Sequence, residues 1–253
     1  MLTVLLAATL MAPPSSADIV ARSWNQTLVV GHRGAAAYAP ENTLPSFEEA
    51  IKSGAVATEC DVFMSQDGVP IVMHDATLDR TTDLTGRVDA TPAQTMIDAG
   101  IPTLEKLITT LKGRIVHVIE IKAGVNVEQA VVDLVRKHRV TQETIVFSFN
   151  PQIIQKVESL APELFTVWLS AAPAQGDVLD GLPNRLRSEL KVDAVGFQFR
   201  NVHPALAERL RAEKIPLFVW TVPPGAEVDR LKGLRVNFII TDHPRDVRAQ
   251  LGG

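Results

Sequence analysis

The 253-residue chain is 46% hydrophobic and 21% charged, which provides for one large core and excludes a disordered or fibrous protein. Its net charge of -4, with Lys and Arg scattered along the sequence, leaves no basic footprint for nucleic acid. A single cysteine, Cys60, excludes an internal disulfide and reads as a small buried hydrophobe.

The opening MLTVLLAATLMAPPSSA carries no charge. Its apolar run is too short for a bilayer span, and Ser15 and Ala17 are small residues spaced as a cleavage site requires. Residues 1–17 are therefore expected to be a signal peptide, with a mature domain over 18–253 that is periplasmic or secreted; without cleavage the protein would be cytoplasmic. No stable membrane span is expected.

After this leader, apolar β-rich runs are expected to form strands at 28–34, 56–62, 115–122, 144–150, 164–170, 193–199, 215–221 and 236–242. Between them lie LPSFEEAIKSG, TLEKLITTLKG, VEQAVVDLVRKH, PQIIQKVESL, LPNRLRSEL, HPALAERLRAEK and GAEVDRLKG. Each has apolar residues at helical spacing, several with Pro in the first turn or Gly after the last. Eight strands alternating with helices predict an α/β fold, a closed (β/α)8 TIM barrel, with an open doubly wound sheet as the alternative. The stretch from Phe63 to Gly100 interrupts the series as a short insertion after the second strand. In FMSQDGVPIVMHD, Asp67-Gly68 is a two-residue hairpin signal. Pairing Gln66 with Val69 in that hairpin sets Asp61 opposite His74.

Side chains two apart on a strand share a face, so Glu59 and Asp61 in ATECDV point together, as do Glu120 and Lys122 in VIEIK. A carboxylate in an apolar parallel strand is costly without a partner. Ion pairs with Lys122 or Arg33 would account for one of the acids, leaving an excess that a divalent cation would relieve. Oxygen-only ligands favour Mg²⁺ or Ca²⁺ over Zn²⁺. His32 and Arg33 end the first strand, on the barrel face where catalytic groups gather, and the hairpin brings His74 to the same place. Two histidines, a guanidinium, an ammonium and a metal-binding acid trio suit a phosphodiester, whose hydrolysis needs one proton removed and one delivered. His117, His138, His203 and His243 lack such company and are expected to be structural or solvated.

The motifs HRG, PENT, ECDV, DGVPIVMHDATLDRTT with TGRV, IPTLEKL, IEIK, WTV and IITDHP occur in the order and spacing of the glycerophosphodiester phosphodiesterase family. The chain resembles that family over nearly its whole mature length. The resemblance implies a TIM barrel that hydrolyses glycerophosphodiesters to glycerol 3-phosphate and an alcohol with Ca²⁺ or Mg²⁺. It makes His32 and His74 the acid/base pair and Glu59, Asp61 and Glu120 the metal ligands. Arg33 and Lys122 would then grip the phosphate. Trp220, ending the seventh barrel strand, would form an aromatic wall against the glycerol carbons, or else fill the core. Asn42 or Thr43 would cap the helix beginning near Leu44. Which histidine is the base, and whether water or a neighbouring substrate hydroxyl attacks, stay open at this level, as do the preferred alcohol and the oligomeric state.

Two features depart from the family pattern. Only DATPAQTMIDAG separates the TGRV segment from IPTLE, where the family has a longer insertion, so a more open mouth and weak discrimination among head groups are expected. Pro223 follows WTV, where the family commonly has a polar residue, and it removes a backbone donor. The alternatives are a phospholipase D-like or C-like activity on lysophospholipids and a non-catalytic barrel that binds phosphodiesters.

Overall fold

The computed structural model describes residues 15–253. Most of the expected signal peptide, residues 1–14, lies outside the described residues. Ser15 caps the first helix through a hydrogen bond accepted from the Asp18 N–H.

Nine strands follow in chain order: β1 (Leu28–Gly31), β2 (Ala57–Met64), β3 (Pro70–Val72), β4 (Val116–Ala123), β5 (Thr144–Ser148), β6 (Phe165–Ser170), β7 (Ala194–Gln198), β8 (Leu217–Trp220) and β9 (Phe238–Thr241). All except β3 are parallel, and β1 pairs with β2 on one side and β9 on the other. The expected eight-stranded barrel is therefore closed, and the open-sheet alternative falls. Helices α1 (Ser16–Ser23), α2 (Leu44–Lys52), α3 (Ala93–Asp98), α4 (Leu104–Leu111) and α5 (Val127–His138) serve the first half. The second half carries α6 (Pro151–Leu160), α7 (Asp177–Asn184), α8 (Pro204–Ala212), α9 (Ala226–Gly233) and α10 (Pro244–Leu251). Pro stands in the first turn of α2, α6, α8 and α10, where its missing N–H has no intrahelical partner to lose. The segment expected as one helix over 182–190 is instead the end of α7 and a wider π-type turn over Arg185–Leu190, which begins just past Pro183.

Strand alternation divides the barrel into an apolar floor and a polar mouth. Along β4, Val116 and Val118 join the interior cluster with Leu28, Val30, Ala57, Ile145 and Phe218, whereas Ile119 and Ile121 face the helices. Continuing inward-facing positions toward the strand ends gives Glu120 and Lys122 on β4, Glu59 and Asp61 on β2, and Trp220 on β8. Below them Phe218 stacks on Phe238 at 4.1 Å and meets Phe147 edge-on at 5.1 Å. Ile19 of α1 enters this interior cluster as well.

The insertion has its own small core of Ile71, Met73, Leu78, Val88, Ala93, Met96 and Ile101. Its hairpin register differs by one residue from the expected pairing. Val62 faces Val72 and Met64 faces Pro70, and the Met73 N–H donates to the Asp61 carbonyl. Asp61 is thus opposite Met73 rather than His74. The cause is a three-residue turn: Ser65 pairs with Val69, Gly68 takes the left-handed conformation at φ 78°, and the Ser65 hydroxyl accepts from the Val69 N–H.

On the outer face of β4, His117 is 3% exposed and neither ring nitrogen makes a hydrogen bond of normal geometry. Burial pushes its pKa down to about 4, offset only in part by the Leu111 carbonyl. The imidazole is neutral in the fold and protonates in the unfolded chain near 6.5. Its contribution is therefore complete above about pH 6.5 and is lost as pH falls toward 4, amounting to roughly 3 kcal/mol. Urea denaturation of the wild type and of His117→Phe should diverge over that window, with the wild type losing more. Parallel loss in the two proteins would refute this account.

Candidate active site

The turn after β1 explains why HRG reads as it does. A side chain at Gly31 would meet the Gly34 carbonyl at 2.1 Å, and one at Gly34, where φ is 90°, would meet the Ser46 hydroxyl at 2.4 Å. Arg33 itself is left-handed, with φ 50°, a strained state for a non-glycine residue. The Ser46 hydroxyl holds it by donating to the Arg33 carbonyl at 2.9 Å and accepting from the Ala35 N–H at 2.8 Å. So bent, the chain points the Arg33 N–H at Glu59 Oε2, 2.9 Å away. The guanidinium donates to Glu41 Oε1 at 2.9 Å, and its Nε lies 3.5 Å from Asp61 Oδ2.

Parallel register sets Asp61 beside Glu120. Oxygens of Glu59, Asp61 and Glu120 lie within 4.8 Å of one another, and these residues are 2%, 1% and 7% exposed. Internal ion pairs do form: Lys122 Nζ is 2.9 Å from Asp61 Oδ1 and 2.5 Å from Glu120 Oε1. They do not neutralise the cluster, because Arg33 is shared with Glu41 and Glu59 has no cationic partner within ion-pair distance among the described residues. Burial, then repulsion from Asp61 and Glu120, raises the Glu59 carboxyl well above its usual range. Burial raises Glu120 to about 7, with the Lys122 charge opposing and Asp61 adding. Glu59 Oε1, Asp61 Oδ1 and Glu120 Oε1 accept no hydrogen bond; Lys122 approaches the last two off the hydrogen-bonding direction. Three crowded, unsatisfied carboxylate oxygens are a donor set that fits a hard divalent cation.

Each histidine is held by a carboxylate at Nδ1. His32 Nδ1 lies 2.7 Å from Asp242 Oδ1, and His74 Nδ1 lies 2.6 Å from Asp75 Oδ1. These acceptors assign the proton to Nδ1 and leave Nε2 with the lone pair. Burial lowers the His74 pKa, although Asp61 and the Asp75 hydrogen bond pull the other way. Arg80 ties the two sides together by donating to Asp75 at 2.6 Å and to Glu41 at 2.7 and 2.9 Å. Its hydrogen bonds hold both carboxyls down at about 2. One network thus braces the loop that carries Arg33 and the loop that carries His74.

His32, Arg33, Glu59, His74, Glu120, Lys122 and Trp220 line one cavity of about 140 Å³. Asp61 joins the same cluster through Glu59 and Glu120. Every residue expected at the site is therefore brought together. Trp220 meets Phe149 edge-on at 5.2 Å, and Phe149 is 41% exposed beside Lys122. Sequence reasoning missed Asp242, Asp75, Glu41, Arg80 and Phe149. Their signal was present in IITDHP, MHD, PENT, LDRTT and SFNP, but acid and aromatic residues in loops show no periodicity. Asn42 departs from the capping role considered for it: it donates to Asp61 Oδ2 at 2.8 Å, and Thr43 caps α2. Of the remaining histidines, His138 pairs with Glu105 and His203 caps α8.

Comparison with known proteins identifies the family. The model of the glycerophosphoryl diester phosphodiesterase family matches residues 32–246. The chain belongs to this family. The glycerophosphodiester phosphodiesterase of Caldanaerobacter subterraneus subsp. tengcongensis is 30% identical over 240 residues, covering 87% of this chain and 95% of that protein. That of Bacillus subtilis strain 168 is 30% identical over 252 residues, covering 87% and 85%. Among solved structures, the glycerophosphodiester phosphodiesterase of Agrobacterium tumefaciens superposes with a TM-score of 0.77 at 29% identity, covering 88% of this chain and all of that one. An Oleispira antarctica phosphodiesterase, solved in complex with the product sn-glycerol-3-phosphate, shares the fold at a TM-score of 0.82 and 23% identity, covering 91% and 99%. As a member of the glycerophosphoryl diester phosphodiesterase family, the protein is a phosphoric diester hydrolase with a buried acid trio suited to a metal.

Proposed function

We propose that this chain hydrolyses glycerophosphodiesters to glycerol 3-phosphate and an alcohol, with His32 and His74 as the acid/base pair and Glu59, Asp61 and Glu120 holding Ca²⁺ or Mg²⁺. The observation that carries this reading is the convergence of three unsatisfied buried carboxylate oxygens and two carboxylate-anchored histidines on one cavity. When bound, the cation would draw negative charge off the phosphate. Arg33 and Lys122 bind the remaining phosphate oxygens, and Arg33 keeps its orientation through Glu41. One histidine, neutral with its lone pair at Nε2, takes a proton from the attacking oxygen; the other enters as the imidazolium, carrying a second proton at Nε2, and delivers it to the leaving oxygen. Asp242 and Asp75 stabilise the imidazolium form of each ring. Trp220 packs its ring against the glycerol carbons and Phe149 extends that wall toward solvent.

The test is release of glycerol 3-phosphate with and without EDTA. Turnover that stops on chelation and returns with Ca²⁺ or Mg²⁺ supports the proposal, and undiminished turnover in EDTA would overturn it. A non-catalytic binder has no use for two anchored histidines. The lysophospholipid reading draws on the exposed Phe149, which an acyl chain would cover; a lysophospholipid turned over faster than its deacylated diester would favour it.

The short cover predicts an undiscriminating mouth. Choline, ethanolamine and glycerol diesters should show kcat/KM values within about tenfold, a difference of about 1.4 kcal/mol in transition-state binding. A hundredfold preference for one of them would refute that expectation. We also propose export: processing after Ala17 would remove the Ser15 cap, at a cost of about 1 kcal/mol, and keep Ile19 in the barrel floor. N-terminal sequencing of the exported protein reads the junction.

A further inference from the structure

A second cavity, of about 400 Å³, lies at the other end of the barrel. Its walls are the segment leading into β1, the turn before β9, and the last turns of α1, α8, α9 and α10. Five cationic side chains line it, Arg22, Arg211, Lys232, Arg235 and Arg248, and no Asp or Glu does. None of the five has a carboxylate within 4.0 Å among the described residues, although Arg114, Arg136 and Arg187 elsewhere on the surface are all paired.

Helix ends explain part of this crowding. Arg22, Arg211, Lys232 and Arg248 sit at or near the C-termini of their helices, where a cation complements the dipole. Lys232 donates to the Leu251 carbonyl at 3.2 Å and Arg211 to the Arg235 carbonyl at 3.4 Å. With the end of α2 at Gly54, five helix ends meet here and carry about -0.5 each, about -2.5 together. The five cations still exceed this by roughly two charges, and Arg235, in the left-handed conformation just past the end of α9, shares that end with Lys232. Burial, then the neighbouring Arg235 charge, holds the Arg211 guanidinium below its usual value.

An excess near two, carried mostly by guanidinium forks, matches a dianionic phosphate group better than a single carboxylate. We propose that this cavity is an anion site that binds a phosphate group, separate from the catalytic mouth. Two sources share this chemistry, a free phosphate and the phosphomonoester head group of an anionic lipid.

Inorganic phosphate titrated into the EDTA-treated protein at low ionic strength tests the site, read by calorimetry and by the fluorescence of Trp24, which lies 5.8 Å from the Arg211 guanidinium. The double variant Arg211→Gln/Arg235→Gln should weaken this binding at least tenfold and abolish the Trp24 response, with kcat/KM for diester hydrolysis unchanged as the control for folding. A second pair, Arg22→Gln/Arg248→Gln, does the same from the opposite wall should the first variant fail to fold. Sedimentation with phosphatidic acid and phosphatidylcholine vesicles then separates the sources. Phosphatidic acid binding that is lost in the variants and competed by phosphate assigns the lipid head group, whereas phosphate binding without vesicle binding assigns the free anion. Phosphate affinity equal in wild type and variants, or lost only with Arg33→Gln, would overturn the proposal.

Discussion

His32→Ala and His74→Ala should each lower kcat by about 10²–10⁴-fold, the usual contribution of a positioned acid or base. Both rings line the catalytic cavity and both have Nδ1 committed to a carboxylate, so each has one nitrogen left for substrate. Neither substitution touches the acid trio, so divalent-cation binding measured by calorimetry should stay within a few-fold of wild type. The double variant should fall little further than the worse single one, because groups that act in one proton relay are not additive. A kcat within tenfold of wild type in both single variants would remove the histidines from the chemistry. The supporting carboxylates extend the test: Asp242→Asn should lower kcat and shift its pH profile through His32, and leave the Arg80 network around His74 in place.

Much of this site was legible because strand parity is so simple a code. In VHVIEIKA the inward positions read Val116, Val118, Glu120, Lys122, and the change from apolar to charged marks where the core ends and the mouth begins. In ATECDV the same parity placed Glu59 and Asp61 together, and the parallel register then set Asp61 beside Glu120. The helices were legible from their spacing and from Pro in their first turns. What escaped was local geometry with no period. The hairpin slipped by one residue because Gly68 extends the turn to three residues with the Ser65 hydroxyl bridging it, a choice that the pair Asp67-Gly68 does not specify. Helices α1 and α3 escaped because α1 straddles the expected cleavage site and α3 lies in the insertion, outside the alternation of strands and helices. Asn42 looked like a cap because Asn favours caps, yet at φ 58° it turns its amide to Asp61 and leaves capping to Thr43. The brace from Asp75 through Arg80 to Glu41 joins residues as far as 39 positions apart, which only the folded chain reveals.

The acid trio sets function against stability, and Glu59→Gln should expose that conflict. Glu59 is the acid with no cationic partner, and its ionised form is opposed by burial and by both neighbouring carboxylates. A glutamine there still accepts the Arg33 N–H and carries no charge, so in EDTA at pH 8 the variant should melt several degrees above the wild type. In the same buffer the wild type should weaken as pH rises. The folded Glu120 carboxyl holds its proton to about 7 and the unfolded one releases it near 4.5, so the folded state binds more protons across that interval. The stabilisation is complete below about pH 4.5 and lost as pH rises through 7, on the order of 3 kcal/mol from this one group. Saturating Ca²⁺ or Mg²⁺ should reverse the ranking, because a ligand at a hundred times its dissociation constant adds about 2.7 kcal/mol to the wild type and far less to a variant short of one oxygen ligand. Thermal melts of both proteins, with EDTA and with each cation, decide the matter. A Glu59→Gln protein that melts below the wild type in EDTA would mean that the three acids are balanced by Arg33 and Lys122 alone, and the physical argument for a cation at this site would fail.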